Sequence, residues 1–329
     1  GHLGEALMRS LASSEYQAIG IDIKDSAFTT HIGSISEPEF AQHCMQGIDV
    51  VLHAATLHKP HVATHSRQDF VDTNITGTLN LLEAAASAAV QAFIYTSTTS
   101  TFGDAMLPGE DGAAVWVTEE LQPQHKNIYG LTKTSAEGFC QIFSRNMNLP
   151  CIVLRTSRFF PEDDDNRNKR EAYSADNLKV NELLFRRADI HDMVSAHLLA
   201  IEKAPELGFD RFIISAPSPF QRQDVAKLGV DAPAVLERYV PEYIEVYREY
   251  GWKMFTSIGR VYDSSRARDV LGWRPEYTFR RAIKRLGEGR SYQSELARQV
   301  GAKGYHDTIF DDGPFPVEDP VVMDPGHDR

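Results

Sequence analysis

Gly1-His2-Leu3-Gly4 and the two elements that follow it decide the fold of this 329-residue chain. An Ala- and Leu-rich stretch to Leu11 predicts a helix, and residues 16–22 predict a short apolar strand that ends in the carboxylate of Asp22. Glycines let a backbone approach a pyrophosphate at a helix N-terminus, and an acid about 20 residues further on can accept hydrogen bonds from a ribose. Asp22 follows Gly4 by 18 residues. The stretch predicts most of a dinucleotide-binding fingerprint; the alternative is an ordinary strand-end carboxylate, because the glycine pattern is incomplete.

Apolar runs alternate with helical patterns along the first two thirds of the chain. This alternation predicts an α/β fold with a doubly wound, Rossmann-like parallel sheet covered by helices on both faces. Ligands of such sheets bind beyond the carboxyl ends of the strands, so the polar residues that follow these strands are expected to converge on one crevice. Strands are predicted at residues 18–22, 50–55, 92–96, 151–155 and 211–215, and helices at residues 37–45, 69–88, 129–147 and 190–203.

The alternation fades after Pro217, where the chain becomes rich in Pro, Tyr and charged residues. Beyond Gly287 it becomes rich in Gly, Asp and Pro, a composition typical of peripheral or partly disordered segments. We predict a dinucleotide-binding domain of residues 1–160 plus 187–216, a smaller C-terminal substrate lobe of residues 161–186 plus 217–288, and a peripheral tail of residues 289–329.

Composition limits the partners and the compartment. The formal net charge of −12 and the lack of a basic run argue against nucleic acid. No apolar stretch reaches the roughly 18 to 20 residues that cross a bilayer. Cys44, Cys140 and Cys151 form no disulfide framework, as expected for core cysteines of a cytoplasmic protein. We therefore expect a soluble, cytoplasmic protein that binds a small-molecule substrate and neither nucleic acid nor membrane.

A group of histidines, His53, His58, His61 and His65, raises the question of a metal site. Pro60 breaks any helix between His58 and His61, and no nearby cysteine or acidic cluster completes a set of ligands. We therefore predict no metal ion.

Tyr129 and Lys133 lie four residues apart in the run Asn127-Ile128-Tyr129-Gly130-Leu131-Thr132-Lys133. Residues with this spacing share a helix face, so the Lys133 ammonium can lie beside the Tyr129 phenol and favour its ionised form. Tyr129 is therefore a candidate acid or base. So short a pattern is weak evidence alone, but the hydroxyl-rich residues 96–101 upstream supply context.

These pieces together resemble the extended short-chain dehydrogenase/reductases, specifically the NAD-dependent epimerase/dehydratase family that includes UDP-glucose 4-epimerase. The resemblance covers roughly residues 1–160 and 187–280. It rests on Gly1-His2-Leu3-Gly4, Asp22, Asp49-Val50-Val51-Leu52-His53-Ala54-Ala55, Asn74-Ile75-Thr76-Gly77-Thr78-Leu79-Asn80, residues 95–103, residues 129–133, Arg187-Ala188-Asp189-Ile190-His191-Asp192 and residues 266–275.

The resemblance implies hydride transfer between a carbinol carbon and the cofactor NAD. It makes Tyr129 the catalytic acid or base, Lys133 its electrostatic partner and a ligand of the nicotinamide ribose, and Thr98 a hydrogen-bond partner of the reacting oxygen. His58, Thr98 and Arg158 are the candidates for substrate binding. It also implies a homodimer through the helices near residues 69–88 and 129–147.

Asp22 favours NAD over NADP, because a carboxylate repels a 2′-phosphate. The implied cofactor-binding residues are Gly1, Leu3, Gly4, Asp22, Ser34, Ile35, Ala54, Ala55, Asn74, Thr96, Tyr129, Lys133 and Thr156.

The chain departs from the family pattern at several places. Residue 1 falls inside the glycine loop, so the chain looks N-terminally truncated and lacks the family's first strand; we expect the neighbouring strand edges to be unpaired. Ser34 stands where the family usually has an acid that contacts adenine, and Phe102 replaces a tyrosine. Arg158 stands where nucleotide-sugar enzymes commonly have asparagine, and only 29 positions separate it from Arg187.

The arginine at position 158 and the short interval between it and Arg187 argue against a nucleotide-sugar substrate. Arg158 could bind a carboxylate or a phosphate bidentately, or it could form a structural salt bridge with the acidic loop of residues 162–165. The run Asp163-Asp164-Asp165 in that loop is by itself typical of a solvated surface.

Three functions remain as alternatives. The first is an NAD-dependent enzyme that epimerises, dehydrates or oxidises a sugar-like alcohol. The second is a dehydrogenase of a small non-nucleotide alcohol or acid, and the third is a non-catalytic NAD-sensing or scaffold protein. Intact Thr98, Tyr129 and Lys133 disfavour the third, since a sensor would not need all of them.

Overall fold

A computed structural model describes residues 1–306 and 310, and a four-stranded parallel sheet lies at its centre. All strand pairs within it are parallel, which confirms the predicted α/β architecture. The strands are β1 (Ile21–Asp22), β2 (His31–Ile32), β3 (Val50–His53), β4 (Ala92–Thr98), β5 (Val115–Val117), β6 (Cys151–Thr156), β7 (Phe209–Ile214) and β8 (Arg260–Tyr262).

Helices connect the strands, and each helix predicted from the sequence is present with slightly shifted bounds. The predicted helix of residues 69–88 includes a π-helical stretch, Val71–Thr76. The α-helices are α1 (His2–Leu11), α2 (Pro38–Cys44), α3 (Arg67–Phe70), α4 (Gly77–Ser87), α5 (Ile128–Met147), α6 (Arg167–Ala172), α7 (Ala175–Glu182), α8 (Ile190–Leu207), α9 (Val225–Leu228), α10 (Ala232–Tyr239), α11 (Tyr243–Tyr250), α12 (Ser265–Val270), α13 (Phe279–Gly287) and α14 (Glu295–Val300).

The central sheet has the order β3-β4-β6-β7 and is covered on both faces. Ile94 and Ile152 belong to an apolar cluster with α1 and α8, whereas Phe93 and Val153 belong to a second cluster with α4 and α5. Successive residues of a strand point to opposite faces, so near-continuous apolar strands such as β6 suit a sheet covered twice.

Strands β1 and β2 form a separate parallel pair, with Ile21 opposite His31. Within residues 1–306 and 310, β1 pairs only with β2, and β3 pairs only with β4. Each of β1 and β3 therefore has one edge without a strand partner in this part of the chain.

The C-terminal region shares its core with the sheet. Trp273 is fully buried in the same cluster as Leu154 of β6. The Trp273 Nε1 donates to the backbone oxygen of Asp192 at 3.1 Å, and the Asp192 carboxylate accepts the N–H groups of Glu276 and Tyr277, each at 2.8 Å. Burial raises the pKa of Asp192 to about 6 despite these hydrogen bonds. The parallel pair β5–β8, which the sequence pattern does not predict, joins residues 115–117 to this region.

The predicted tail is packed over its first part. Helix α14 places Val300 in the main core cluster, where it is 6% exposed. Further on, the Lys303 N–H donates to the Glu162 carboxylate at 2.8 Å. The prediction of a peripheral segment that begins at residue 289 is therefore wrong for residues up to Lys303, which pack against the rest of the protein. Residues 307–309 and 311–329 lie outside the described part of the chain.

The acidic loop also differs from the prediction. Asp164 is 7% exposed, and its carboxylate accepts a hydrogen bond from Arg158 Nη1 at 2.7 Å. Asp165 pairs with Lys59 at 2.7 Å. Asp163 remains exposed. Asp164 forms the structural salt bridge with Arg158 that is one of the two predicted alternatives, whereas the partner of Asp165, Lys59, is far away in the chain and is not revealed by sequence composition.

Glu182, at the end of α7, is the centre of this ionic cluster and is 1% exposed. Its carboxylate lies 3.1 Å from Arg158, 2.5 Å from Arg186 and 2.8 Å from Arg187. Burial alone would raise the pKa of Glu182, but the three guanidinium groups hold that pKa well below its usual range.

We predict that Glu182→Gln lowers the free energy of unfolding by about 3 to 5 kcal/mol, because removing one charge leaves buried partners uncompensated. Urea denaturation at neutral pH measures it. The control is Glu242→Gln, whose exposed ion pair with Arg280 should contribute less than about 1 kcal/mol. The stabilisation should be complete above the ordinary glutamate pKa of 4.5 and fall as the pH drops toward the lowered value. Equal losses in both variants would contradict the prediction.

Candidate active site

Helix α5 begins beside the end of strand β4, and two residues fix this contact. The side-chain oxygen of Asn127 accepts the Gly130 N–H at 3.1 Å and caps the helix. A Cβ atom at Gly130 would lie 2.6 Å from the backbone oxygen of Ser100, so only glycine allows the helix to come this close to the loop after β4.

This contact brings the end of β4, with Thr98, to the helix that carries Tyr129 and Lys133. These three residues are 8%, 8% and 1% exposed. Thr98 ends β4, and its hydroxyl accepts the Ser100 N–H at 3.1 Å. Burial raises the pKa of Tyr129 to about 12, although a hydrogen bond with the Thr98 side chain opposes the rise. The arrangement can hold an oxygen atom of a ligand between two hydroxyl groups.

The sequence predicts that Lys133 favours the ionised form of the Tyr129 phenol. In the structure burial dominates and raises the pKa of Tyr129, and the group that opposes the rise is Thr98. Burial lowers the pKa of Lys133 itself to about 7, with Glu137 opposing the fall. The Lys133 Nζ lies over the ring of Tyr95, 4.1 Å from its centroid. A shared helix face fixes the side of the helix but not the direction in which a long side chain extends.

A buried ion pair, which the sequence pattern does not predict, joins α5 to strand β6. Glu137 lies 2.6 Å from Arg155 of β6, and the two side chains are 1% and 2% exposed. The Ser97 hydroxyl of β4 also donates to the Glu137 carboxylate, at 2.5 Å. One signal was available: Arg155 is a charged residue inside the apolar run 151–155, and Glu137 lies one turn beyond Lys133.

The first turn of α1 has the features that a pyrophosphate requires. Among the described residues no side chain caps this helix, and no heavy atom lies within 4 Å of a Cβ built on Gly1 or Gly4. Asp22 lies beside this turn, with its carboxylate 3.8 Å from the Gly1 nitrogen. Leu3, in contrast, is buried in the core. Open backbone N–H groups and a nearby carboxylate fit the phosphates and ribose of a dinucleotide.

Ser34 and Ile35 follow β2 and pack against α4. The Ser34 hydroxyl lies 2.6 Å from that of Ser36, and the Ile35 backbone oxygen accepts Asn80 Nδ2 at 3.0 Å. A Cβ at Gly77 would lie 2.6 Å from the Ile35 side chain, so glycine permits this close packing. The loop is thereby held beside the sheet.

Asn74 holds the loop that carries Ala54 and Ala55. Its oxygen accepts Thr56 Oγ1 and Leu57 N, each at 2.9 Å. Its nitrogen donates to the Leu57 oxygen at 2.9 Å and to Thr132 Oγ1 at 3.1 Å. The whole amide is engaged by the protein, so Asn74 can act on a cofactor only through the loop that it positions.

Thr96 and Thr156 are also engaged by the protein. The Thr96 hydroxyl lies 2.8 Å from His197 Nε2 of α8, and the Thr156 hydroxyl donates to the Ser97 backbone oxygen at 2.9 Å. Both side chains help to fix the carboxyl ends of β4 and β6. A cofactor would contact the backbone atoms of Thr96 and Thr156 rather than their side chains.

The two remaining substrate candidates lie in clusters. His58 packs edge to face against His61 and Tyr305, with ring centroids 4.7 and 4.9 Å away. Burial lowers the pKa of His58 to about 3, so it is neutral. Arg158 is held by Asp164 and Glu182, which favours its structural role over a free anion-binding one. Residues 1–306 and 310 contain no group of three or more metal-ligating side chains placed to hold an ion.

Known proteins resemble this chain along most of its length. A model of the NAD dependent epimerase/dehydratase family matches residues 1–210. A UDP-glucose 4-epimerase of Rhizobium leguminosarum bv. trifolii is 26% identical over 259 residues, 71% of this chain and 75% of the relative. A dTDP-D-glucose 4,6-dehydratase of Dictyostelium discoideum is 26% identical over 155 residues, 45% of this chain. The chain spans 35% of this dehydratase and 37% of an uncharacterized UDP-glucose epimerase of Bacillus subtilis.

Solved structures share the fold. The UDP-glucuronic acid 4-epimerase from Bacillus cereus in complex with NAD has a TM-score of 0.60 and 21% identity, over 91% of this chain and 94% of that chain. A short-chain dehydrogenase/reductase superfamily protein from Agrobacterium tumefaciens with bound NAD has a TM-score of 0.62 and 19% identity over the same shares. In the part of the chain that the structure describes, none of the helices combines the length and the apolar character needed to span a membrane.

We predict that Gly130→Ala lowers the free energy of unfolding by about 1 to 3 kcal/mol, because the added methyl group forces α5 away from Ser100. Gly138→Ala on the same helix is the matched control, since open space surrounds that position and alanine favours helix by up to about 1 kcal/mol. Thermal and urea unfolding compare the two. A stabilised Gly130→Ala variant would show that the contact is not tight.

Proposed function

Because this chain belongs to the NAD dependent epimerase/dehydratase family, we propose that it transfers hydride between NAD and a carbinol carbon of a sugar-like substrate. One observation carries the proposal: Thr98, Tyr129 and Lys133 lie together where β4 meets α5. The epimerase and dehydratase names of the relatives support a sugar-like substrate.

The residues near α1 and α5 fit the cofactor. The uncapped first turn of α1 would bind the pyrophosphate, Asp22 would accept the hydroxyl groups of the adenosine ribose, and Lys133 would bind the nicotinamide ribose. When bound, NAD supplies the nicotinamide carbon that exchanges hydride. The carboxylate of Asp22 disfavours the 2′-phosphate of NADP.

Tyr129 would hold and move the proton of the substrate hydroxyl. Its pKa of about 12 keeps the phenol protonated at neutral pH, the form that donates a proton. To accept a proton it needs a positive charge nearby, and Lys133 supplies one only while its ammonium is charged. The Thr98 hydroxyl would hold the same substrate oxygen.

A second candidate function is a dehydrogenase of a small non-nucleotide alcohol or acid. The 29 positions between Arg158 and Arg187 favour it, because they include the buried Glu182 cluster and leave little chain to hold a diphosphate. Since Arg158 is neutralised within that cluster, a carboxylate would have to bind elsewhere. A non-catalytic NAD sensor would not require Thr98, Tyr129 and Lys133 together.

Assembly and location are also proposed. Helix α5 exposes Leu131 at 43%, Ile142 at 45% and Met147 at 56%, which supports a homodimer that buries this helix. The free, buried cysteines Cys44, Cys140 and Cys151 suit a reducing cytoplasm.

The central test is turnover of a panel of free sugars, sugar acids, small alcohols, UDP-sugars and dTDP-sugars, with NADH absorbance and product NMR as readouts. We expect at least one member to react. Tyr129→Phe should lower its turnover by at least about 10² with NAD affinity nearly unchanged, as loss of an acid or base does. Turnover within threefold of the parent would remove Tyr129 from the mechanism. Saturable UDP-sugar binding by calorimetry would reject the non-nucleotide candidate.

Cofactor choice gives an independent prediction. Asp22→Ala should weaken NAD binding and relax the preference against NADP, because the carboxylate both accepts ribose hydrogen bonds and repels a 2′-phosphate. Calorimetric titration with both cofactors measures this. Asp25→Ala, which removes an exposed carboxylate three positions further on, is the control and should change neither affinity. Tighter binding of NADP than of NAD by the parent would overturn the assignment.

A further inference from the structure

Lys133 is held in an unusual way. Within the described residues its ammonium forms neither a hydrogen bond nor an ion pair, although the side chain is 1% exposed. The group that faces it is the aromatic ring of Tyr95 in β4, whose centroid is 4.1 Å from Nζ. Tyr95 is fully buried, and its hydroxyl makes no well-formed hydrogen bond within the described residues, the side chain of Thr78 being only a weak partner.

We propose that Tyr95 is a positioning residue, whose ring face, rather than its hydroxyl, holds the Lys133 ammonium in place for the reaction. This inference rests on the function proposed above, which gives Lys133 its role. The negative face of an aromatic ring attracts a cation, most strongly where water is excluded. The phenol hydroxyl contributes no such attraction.

The ring of Tyr95 is the group in contact with the Lys133 Nζ. On α5, the charge of Glu137 one turn further on also favours the ammonium, but its carboxylate is hydrogen-bonded to Arg155 and Ser97 rather than to Lys133. Tyr129 and Cys140, on the same helix, are neutral near pH 7, since burial raises the pKa of both.

His53 of β3 also packs against Tyr95, with 5.4 Å between the ring centroids. Its Nε2 is 2.9 Å from the Thr78 hydroxyl. Burial and the charge of Lys133 lower the pKa of His53 to about 3, so this imidazole is neutral and adds no competing charge. Tyr95 therefore contacts a neutral imidazole as well as the ammonium.

A ring that favours the ammonium opposes the effect of burial, which lowers the pKa of Lys133 to about 7. Removal of the ring should therefore move the titration of Lys133 to lower pH. A desolvated cation–π contact and the free energy of one pKa unit are of similar size, so we expect a shift of about one pH unit.

The experiment compares Tyr95→Phe, which keeps the ring, with Tyr95→Leu, which removes it. Phe93→Leu is the matched control, because Phe93 is a fully buried ring on the same face of β4 that packs on His53 rather than on Lys133. The full chain is labelled with ¹⁵N-lysine, and the Nζ resonance of Lys133 is assigned by its loss in Lys133→Met and followed against pH. The alkaline limb of kcat against pH is recorded for any substrate found.

We expect the Lys133 midpoint to fall by about one pH unit in Tyr95→Leu and to stay within about 0.2 units of the parent in Tyr95→Phe and Phe93→Leu. The alkaline limb of kcat should move with it. An unshifted midpoint in Tyr95→Leu, or an equal shift in Tyr95→Phe, overturns the proposal. A shifted midpoint in a protein that turns over no substrate supports the contact and instead rejects the proposed function. If Tyr95→Leu does not fold, a polyfluorinated phenylalanine at position 95 keeps the shape of the ring while weakening the negative charge of its face. The Lys133 midpoint should then fall in that variant, and an unshifted midpoint overturns the proposal.

Discussion

The close contact between α5 and the end of β4 is the constraint on which the candidate site depends. At the top of the helix, Gly130 lies against the Ser100 carbonyl with no room for a side chain. Two turns below, the Glu137 carboxylate binds Arg155 and Ser97 from two neighbouring strands. One contact is steric and the other is ionic, and together they fix both the distance and the rotation of the helix. Lys133 lies between them and Tyr129 lies next to Gly130, so their positions follow from contacts in which neither takes part.

Two buried carboxylates organise the charges of the molecule in different ways. Glu182 gathers three arginines and so removes Arg158 from the set of free cations. Glu137 takes one arginine and one hydroxyl, which leaves the ammonium of Lys133 without an ionic partner. Because a buried charge that is already paired cannot serve a ligand, the first cluster is structural. The second leaves a cation whose charge responds to its surroundings, a property common at reactive sites.

The sequence predicts what depends on local periodicity and on strand ends. Alternating apolar runs locate the parallel strands, and the rule that ligands bind at their carboxyl ends brings Thr98 to Tyr129 and Lys133. It does not predict contacts made by long side chains across the fold. The ion pair of Asp165 with Lys59, the ring of Tyr95 beneath Lys133 and the packing of α14 all depend on residues far apart in the chain. For Asn74 the position was anticipated, but its amide is occupied by the loop that it supports.

The amide of Asn74 has a consequence for how binding can be detected. It joins the Leu57 backbone, in the loop after β3, to Thr132 in the first turns of α5. Opening of the loop therefore exposes a buried amide and loosens its bond to the helix, so the two segments should share part of their opening equilibrium. Protection of the Leu57 N–H against solvent deuterium would then report on the helix as well as on the loop. A ligand that contacts only the loop would then change the hydrogen-exchange rates of residues in α5 that it does not contact.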